Sequence, residues 1–245
     1  ALVQEKFSFL TGKEIGDVLL TTANNDFSGF SAYAMQAVTD ENDKNKTLYR
    51  LIYFEDNTAG ENNAKITKEE LLEQLGATCD DGKGTCTIGT TEYTFSSMTY
   101  EAAYGAGILD VAKAIKGLGA LDGSRMDSAL YTLEIPADVD VEFSNDISQR
   151  NPTTTTGDKL GFEKKGEGTL TLSGANTYEG DTIVSAGTLK LTGSLTAGAV
   201  AQDSGTLVIE GATIEGAVSN EASVEFNGGT IKGAFSNNSS VKMAN

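Results

Sequence analysis

The chain has 245 residues, with 35 acidic against 18 basic side chains, a net charge of −17 and no histidine. Such a field repels phosphate backbones, so nucleic acid is excluded as a partner and a soluble, self-repelling surface is expected. By itself the chain offers neither His-dependent acid–base catalysis nor a His-ligated metal, and no apolar run approaches the roughly 18 residues of a membrane-crossing helix.

From Ala1 to about Ala23 the spacing predicts two helices joined near Ser8 to Leu10. Leu2, Val3 and Phe7 share one face, Thr11-x-x-Glu14 is a capping box, and Ile15, Val18 and Leu19 follow at helical spacing. No Ser, Thr, Asp or Asn cap precedes the first apolar position, so the chain is expected to begin inside something longer. Asn24 to about Ala64 is polar and acidic, with clusters at Asp40–Lys46 and Glu55–Glu61 around a strand over Leu48–Phe54. Asp and Asn oxygens suit calcium, but the spacing of a calcium loop is missing; a solvated loop without cofactor is the expectation. Thr67-x-x-Glu70 opens a short helix that turns Leu71, Leu72 and Leu75 inward and stops at Gly76.

Cys79 and Cys86 are the only cysteines, too few ligands for zinc. A disulfide between them contributes about 2.5 kcal/mol on the chain-entropy estimate and fits an exported protein; the alternative is two free thiols. Thr85–Ile88 and Glu92–Phe95 flank Gly89-Thr90-Thr91 as a hairpin. Ile108, Leu109, Val111, Ala112 and Ile115 predict a helix ending at Gly117.

Between about 121 and 160, Tyr131-x-Leu133-x-Ile135 and Val139-x-Val141-x-Phe143 alternate as strands, Asn151–Gly157 reads as a loop, and Leu160–Gly168 leads onward. Then Gly168-Thr-Leu-Thr-Leu-Ser-Gly174 returns as Gly187-Thr-Leu-Lys-Leu-Thr-Gly193 and Gly205-Thr-Leu-Val-Ile-Glu-Gly211, with starts 19 and 18 residues apart. Self-similarity at that period means stacked coils. Each copy is apolar on one face and wet on the other, so it buries its apolar face only against its neighbour; the pattern is that of a β-solenoid. The last two coils align at a shift of 17, placing Ile214 on Ile231, Val218 on Phe235, Val224 on Val241, Phe226 on Met243 and Asn220 over Asn237 as an amide ladder. No cap follows the last coil, so more chain is expected beyond Asn245.

Three stretches carry a resemblance. Ala1-Leu-Val-Gln-Glu-Lys-Phe7, Phe9-Leu-Thr-Gly12 and Asp17-Val-Leu-Leu-Thr-Thr-Ala23 resemble the segment that directly follows the nucleophilic serine of subtilisin-like peptidases. Tyr104-Gly-Ala-Gly-Ile-Leu-Asp-Val-Ala-Lys-Ala114 resembles the segment that closes their catalytic domain. The two lie close together in that family; here about 80 residues separate them, so 24–103 reads as an insertion of unassigned role. Phe143–Ile147, Lys165–Gly174 and Asn176-Thr-Tyr-Glu-Gly180 resemble the passenger-associated transport repeat of autotransporters.

These resemblances imply a mixed fold: the C-terminal helical part of a subtilisin-like α/β domain over 1–120, a connection over 121–160, and a right-handed β-helix (β-solenoid) over 161–245. They imply the later part of a secreted or cell-surface serine endopeptidase of Gram-negative bacteria. Its Asp, His and Ser triad is expected before Ala1, with no catalytic, cofactor or metal residue in this chain. Peptide or protein substrates are the expected partners through the upstream part, and a β-barrel translocator on the C-terminal side. The alternative is a non-enzymatic β-helical adhesin or self-association module. A carbohydrate-cleaving β-helix would need clustered carboxylates, which Glu210, Glu215, Glu221 and Glu225 do not form in the sequence pattern.

Overall fold

The computed structural model describes residues 1–24, 31–57, 65–104, 107–152 and 159–243. The chain divides into two compact units, one of Ala1–Ala23 with Leu109–Asn245 and the other of Asn24–Ile108. Beyond Asn57, the second acidic cluster lies outside the described residues. So do Gly105 and Ala106 of the closing-segment resemblance and residues 153–157 of the expected loop.

The first unit opens with α1 (Leu2–Lys6) and α2 (Gly12–Thr22). At Thr11 both halves of the capping box form, with Glu14 N donating to Thr11 Oγ1 and Thr11 N donating to Glu14 Oε2. That satisfies two of the amides a helix start leaves bare. Val3, Phe7, Leu10 and Val18 turn into the main core.

The second unit holds β1 (Tyr33–Thr39), β2 (Thr47–Phe54), α3 (Lys68–Gln74), β3 (Thr78–Asp80), β4 (Thr85–Ile88), β5 (Thr91–Met98) and α4 (Tyr100–Tyr104). Its sheet runs in the order β1-β2-β5-β4-β3. The expected strand and hairpin are present as β2 and β4–β5, and α3 starts at the predicted Thr67–Glu70 box. β5 also pairs in parallel with β2, which makes β2 an interior strand flanked by β1 and β5. Leu51, Ile52, Tyr53 and Phe54 are accordingly buried in succession, as befits a strand covered on both faces. Ala32, Tyr53, Ile66 and Leu71 pack beneath α3, while Ile52, Phe54 and Tyr100 pack on the opposite face.

One expectation is corrected. The helix read over 108–115 is only α5 (Val111–Ala114). Ile108 exchanges two backbone hydrogen bonds with Asn24 (2.8 and 2.9 Å), which commits it to an extended bridge. The Asp110 carboxylate then accepts from Lys113 N at 2.9 Å, so the helix begins after Asp110. Ile108 and Leu109, read as the start of that helix, are 51% and 55% exposed.

The stack of parallel strands follows β6 (Ala120–Asp122), which pairs with β9 (Ser148–Arg150). One sheet stacks β7 (Leu130–Glu134), β10 (Gly161–Lys165), β13 (Thr182–Val184), β16 (Ala199–Ala201), β19 (Val218–Asn220) and β22 (Phe235–Asn237). A second stacks β8 (Asp140–Phe143), β11 (Thr169–Leu172), β14 (Thr188–Leu191), β17 (Thr206–Ile209), β20 (Ser223–Phe226) and β23 (Ser240–Met243). A third, shorter one stacks β12 (Ala175–Asn176), β15 (Ser194–Leu195), β18 (Thr213–Ile214) and β21 (Thr230–Ile231). The stack therefore starts at Leu130, a full coil before the repeat begins.

Registers are those of the repeat. Val141, Leu170, Leu189, Leu207 and Val224 form one inward column, and Phe143, Leu172, Leu191, Ile209 and Phe226 the next. Ile214 pairs with Ile231, Val218 with Phe235, Val224 with Val241 and Phe226 with Met243. These columns are the core.

Candidate functional site

Sequence periodicity assigned inward positions to apolar residues, yet one inward column of the first sheet runs Leu133, Lys164, Val184, Ala201, Asn220 and Asn237. Lys164 shares the face of Phe162 two residues before it, so its side chain points into the coil and is fully buried. An ammonium there must find three acceptors. It donates to the carbonyls of Gly166 and Gly168 on its own corner, and to that of Ala186 on the next coil at 2.9 Å. Burial pulls its pKa down to about 8, against a smaller upward pull from the Glu167 charge. At neutral pH the group stays charged. Gly187 closes the cage: at φ +58° a Cβ there would meet both Lys164 Nζ and the Gly166 carbonyl, so no side chain fits.

On the neighbouring coils the polar groups are also engaged. The Glu163 carboxylate accepts from Ser185 Oγ (2.7 Å) and Thr132 Oγ1 (3.0 Å) and lies 3.2 Å from Lys165 Nζ. Burial raises its pKa, but these donors outweigh it and hold the carboxyl below its ordinary value. Asn176 is buried at a corner, donating to the carbonyls of Gly174 (3.1 Å) and Ser194 (3.2 Å). The Tyr178 hydroxyl lies 2.7 Å from Thr182 Oγ1, and burial pushes that phenol well above its ordinary range. Further along, Asn220 Nδ2 donates to Asn237 Oδ1 at 2.7 Å, the amide ladder the repeat predicts.

Two buried acids tie α2 to the start of the stack. Asp17 takes Arg125 Nε and Nη2, both at 2.8 Å on Oδ1. Tyr131, whose hydroxyl is 3.4 Å from Asp17 Oδ2, is pushed above its ordinary range by burial and then by that negative charge. Asp122 receives Arg150 Nε (2.9 Å), Asn151 Nδ2 (3.1 Å) and both Ser124 donors. Burial raises its pKa, yet the bonds from Ser124 and Asn151 and the Arg150 charge bring it below normal. Arg150 Nη2 also donates to Leu20 O at 3.0 Å, so α2 is held by both pairs.

None of this is reactive chemistry. A cleft of about 300 Å³ beside Glu14, Asp17 and Tyr131 contains an acid already saturated by arginine and a phenol held protonated. Among the described residues no three His, Cys, Asp or Glu side chains converge for a metal. Asp40 of the first acidic cluster is held low by the Asn42 amide and by Lys46, and Asp43 accepts from Asn45 N. The solenoid acids are dispersed: Glu210 pairs with Lys190 (2.6 Å), Glu215 with Lys232 (2.7 Å) and Glu225 with Lys242 (3.2 Å), and Glu221 accepts from Asn238. Cys79 and Cys86 face each other across β3 and β4 and are joined as a disulfide.

Sequence reading missed Lys164, Asn176 and both arginine–aspartate pairs. For Lys164 the signal was present in the period of two from Phe162; for the arginines no local signal exists, since their acids lie 108 and 28 residues away.

Residues 162–191, which contain the Lys164 cage, match the passenger-associated-transport-repeat family. The chain is also similar to the Neisserial autotransporter lipoprotein NalP of two strains of Neisseria meningitidis serogroup B, at 30% identity over 138 residues. That match covers 56% of this chain and only 12% of each relative. The repeat, the parallel stack that carries it and these relatives together support an autotransporter passenger, secreted or exposed at the Gram-negative cell surface.

Proposed function

We propose that this passenger sequence belongs to a subtilisin-like serine endopeptidase, supplying the helices behind the nucleophile, the segment that closes the catalytic domain, and the β-helix as stalk and export element. One observation supports this reading. Although 85 residues of a separate unit, Asn24–Ile108, lie between them in sequence and take in Tyr104–Ile108 of the closing stretch, 1–23 and the rest of that stretch from Leu109 fall in one unit. There Val3, Phe7, Leu10 and Val18 share a core with Ala114, Leu118 and Leu121, and Gly119 N donates to Thr21 Oγ1 at 3.1 Å. The part of the closing segment from Leu109 thus packs beside the segment that adjoins it in the family.

In this reading the Asp, His and Ser triad precedes Ala1, and substrates are peptides or proteins engaged by that upstream part. A β-barrel translocator follows on the C-terminal side. Since the chain has no histidine, residues 1–245 alone leave casein intact. The passenger that includes the sequence before Ala1 cleaves casein and is labelled on serine by a fluorophosphonate. Casein turnover by residues 1–245, or a longer passenger that takes no label, would overturn the reading and favour a β-helical adhesin.

A further inference from the structure

In the Asn24–Ile108 unit the two edge strands differ in kind. At one edge β3 has three residues, ends on Asp80 and is tied to β4 by the disulfide. The other edge, β1, has seven residues, Tyr-Ala-Met-Gln-Ala-Val-Thr, with no charge, proline or glycine. Among the described residues it pairs with β2 alone. Met35, Gln36 and Ala37 at its centre are all exposed. Edge strands are normally protected by lysine, proline, bulges or brevity, because a row of open N–H and C=O groups is a template for another strand. β3 has such protection and β1 has none.

The surroundings select the occupant. Met35 (42% exposed) and Tyr49 (39%) lie on one face of the sheet, with Tyr93 beyond Tyr49 at 5.7 Å between ring centroids. An added strand would run directly beside Met35, and a long side chain from it spans to Tyr49. Aromatic faces of this kind attract arginine. The unit carries fourteen acidic against six basic residues, so its field draws in a basic segment and opposes a second copy of itself.

We propose that β1 is a docking edge that captures an extended, arginine- or lysine-bearing polypeptide segment by strand addition. The backbone ladder supplies affinity, and alternate basic side chains reach over Met35 onto Tyr49. This proposal is independent of the peptidase reading, because its test measures binding and not turnover.

The test uses the full chain and fluorescein-labelled ten-residue peptides in which arginine alternates with threonine or valine. Fluorescence anisotropy is expected to show binding that weakens at least about ten-fold when the four central backbone nitrogens are methylated, which removes donors at unchanged charge. Glutamate in place of arginine is expected to cost at least about ten-fold as well. Hydrogen exchange at Met35–Val38 slows on binding. Equal affinity for the methylated peptide would reduce the effect to electrostatics and overturn the proposal. So would protection confined to other strands, no binding at all, or a β1-mediated dimer in sedimentation equilibrium that the peptide does not dissociate.

Discussion

Lys164 shows how a single residue can hold a corner of the solenoid. Its ammonium gathers three backbone carbonyls, those of Gly166, Gly168 and Ala186. Replacing it with methionine preserves length but orphans those acceptors, and the Lys164→Met variant is expected to lose about 2–4 kcal/mol in urea denaturation. The pH dependence carries a definite sign. The folded pKa of about 8 lies below the unfolded 10.5, so protonation favours the unfolded chain. The contribution is full above pH 10.5 and is lost as pH falls through about 8. Wild type should therefore gain about 1 kcal/mol on Lys164→Met between pH 7 and pH 9. A constant difference across that range would mean that the carbonyl cage cancels the burial penalty. The Asp17–Arg125 pair gives a second residue-scale case. Arg125→Met leaves a carboxylate, only 3% exposed as a residue, without its main partner. A loss of about 3–5 kcal/mol is expected by thermal or chemical denaturation.

At the scale of elements, a coil is held by what lies above and below it. Leu189 is fully buried, with Leu170 on one side and Leu207 on the other. Leu189→Ala is expected to cost about 2–5 kcal/mol, measured by denaturant midpoint. Val208, on the outer face of the next coil, should tolerate threonine within about 0.5 kcal/mol. The two substitutions differ by one strand position in phase. That phase was legible in the sequence, because Leu alternates with polar residues and the glycines mark each corner. The helix starts at Thr11 and Thr67 were equally legible, since a capping box is closed by residues three apart. The helix over 108–115 was not: its first turn is diverted by a hydrogen-bonded bridge to Asn24, 84 positions away.

For the molecule as a whole, the Asn24–Ile108 unit has its own core and its own disulfide. Serine at both Cys79 and Cys86 should destabilise that unit by about 2.5 kcal/mol. Hydrogen exchange would report the loss in β2 to β5, with β10 to β20 unchanged. Faster exchange throughout the solenoid would show that the two units fold as one.

What the sequence alone determined is the stack: its coil spacing, its inward columns, the Asn220–Asn237 ladder and the caps of its helices. Each depends on an alternation or a spacing within a few residues, or on a repeat that reports its own register. Only the tertiary structure decided that 1–23 packs against the Asp110–Gly117 segment, that β2 is a buried interior strand of its sheet, and that Asp17 and Asp122 find their arginines. Those contacts join segments far apart in the chain, and their stability comes from burial shared between them, a quantity that no local pattern of residue types records.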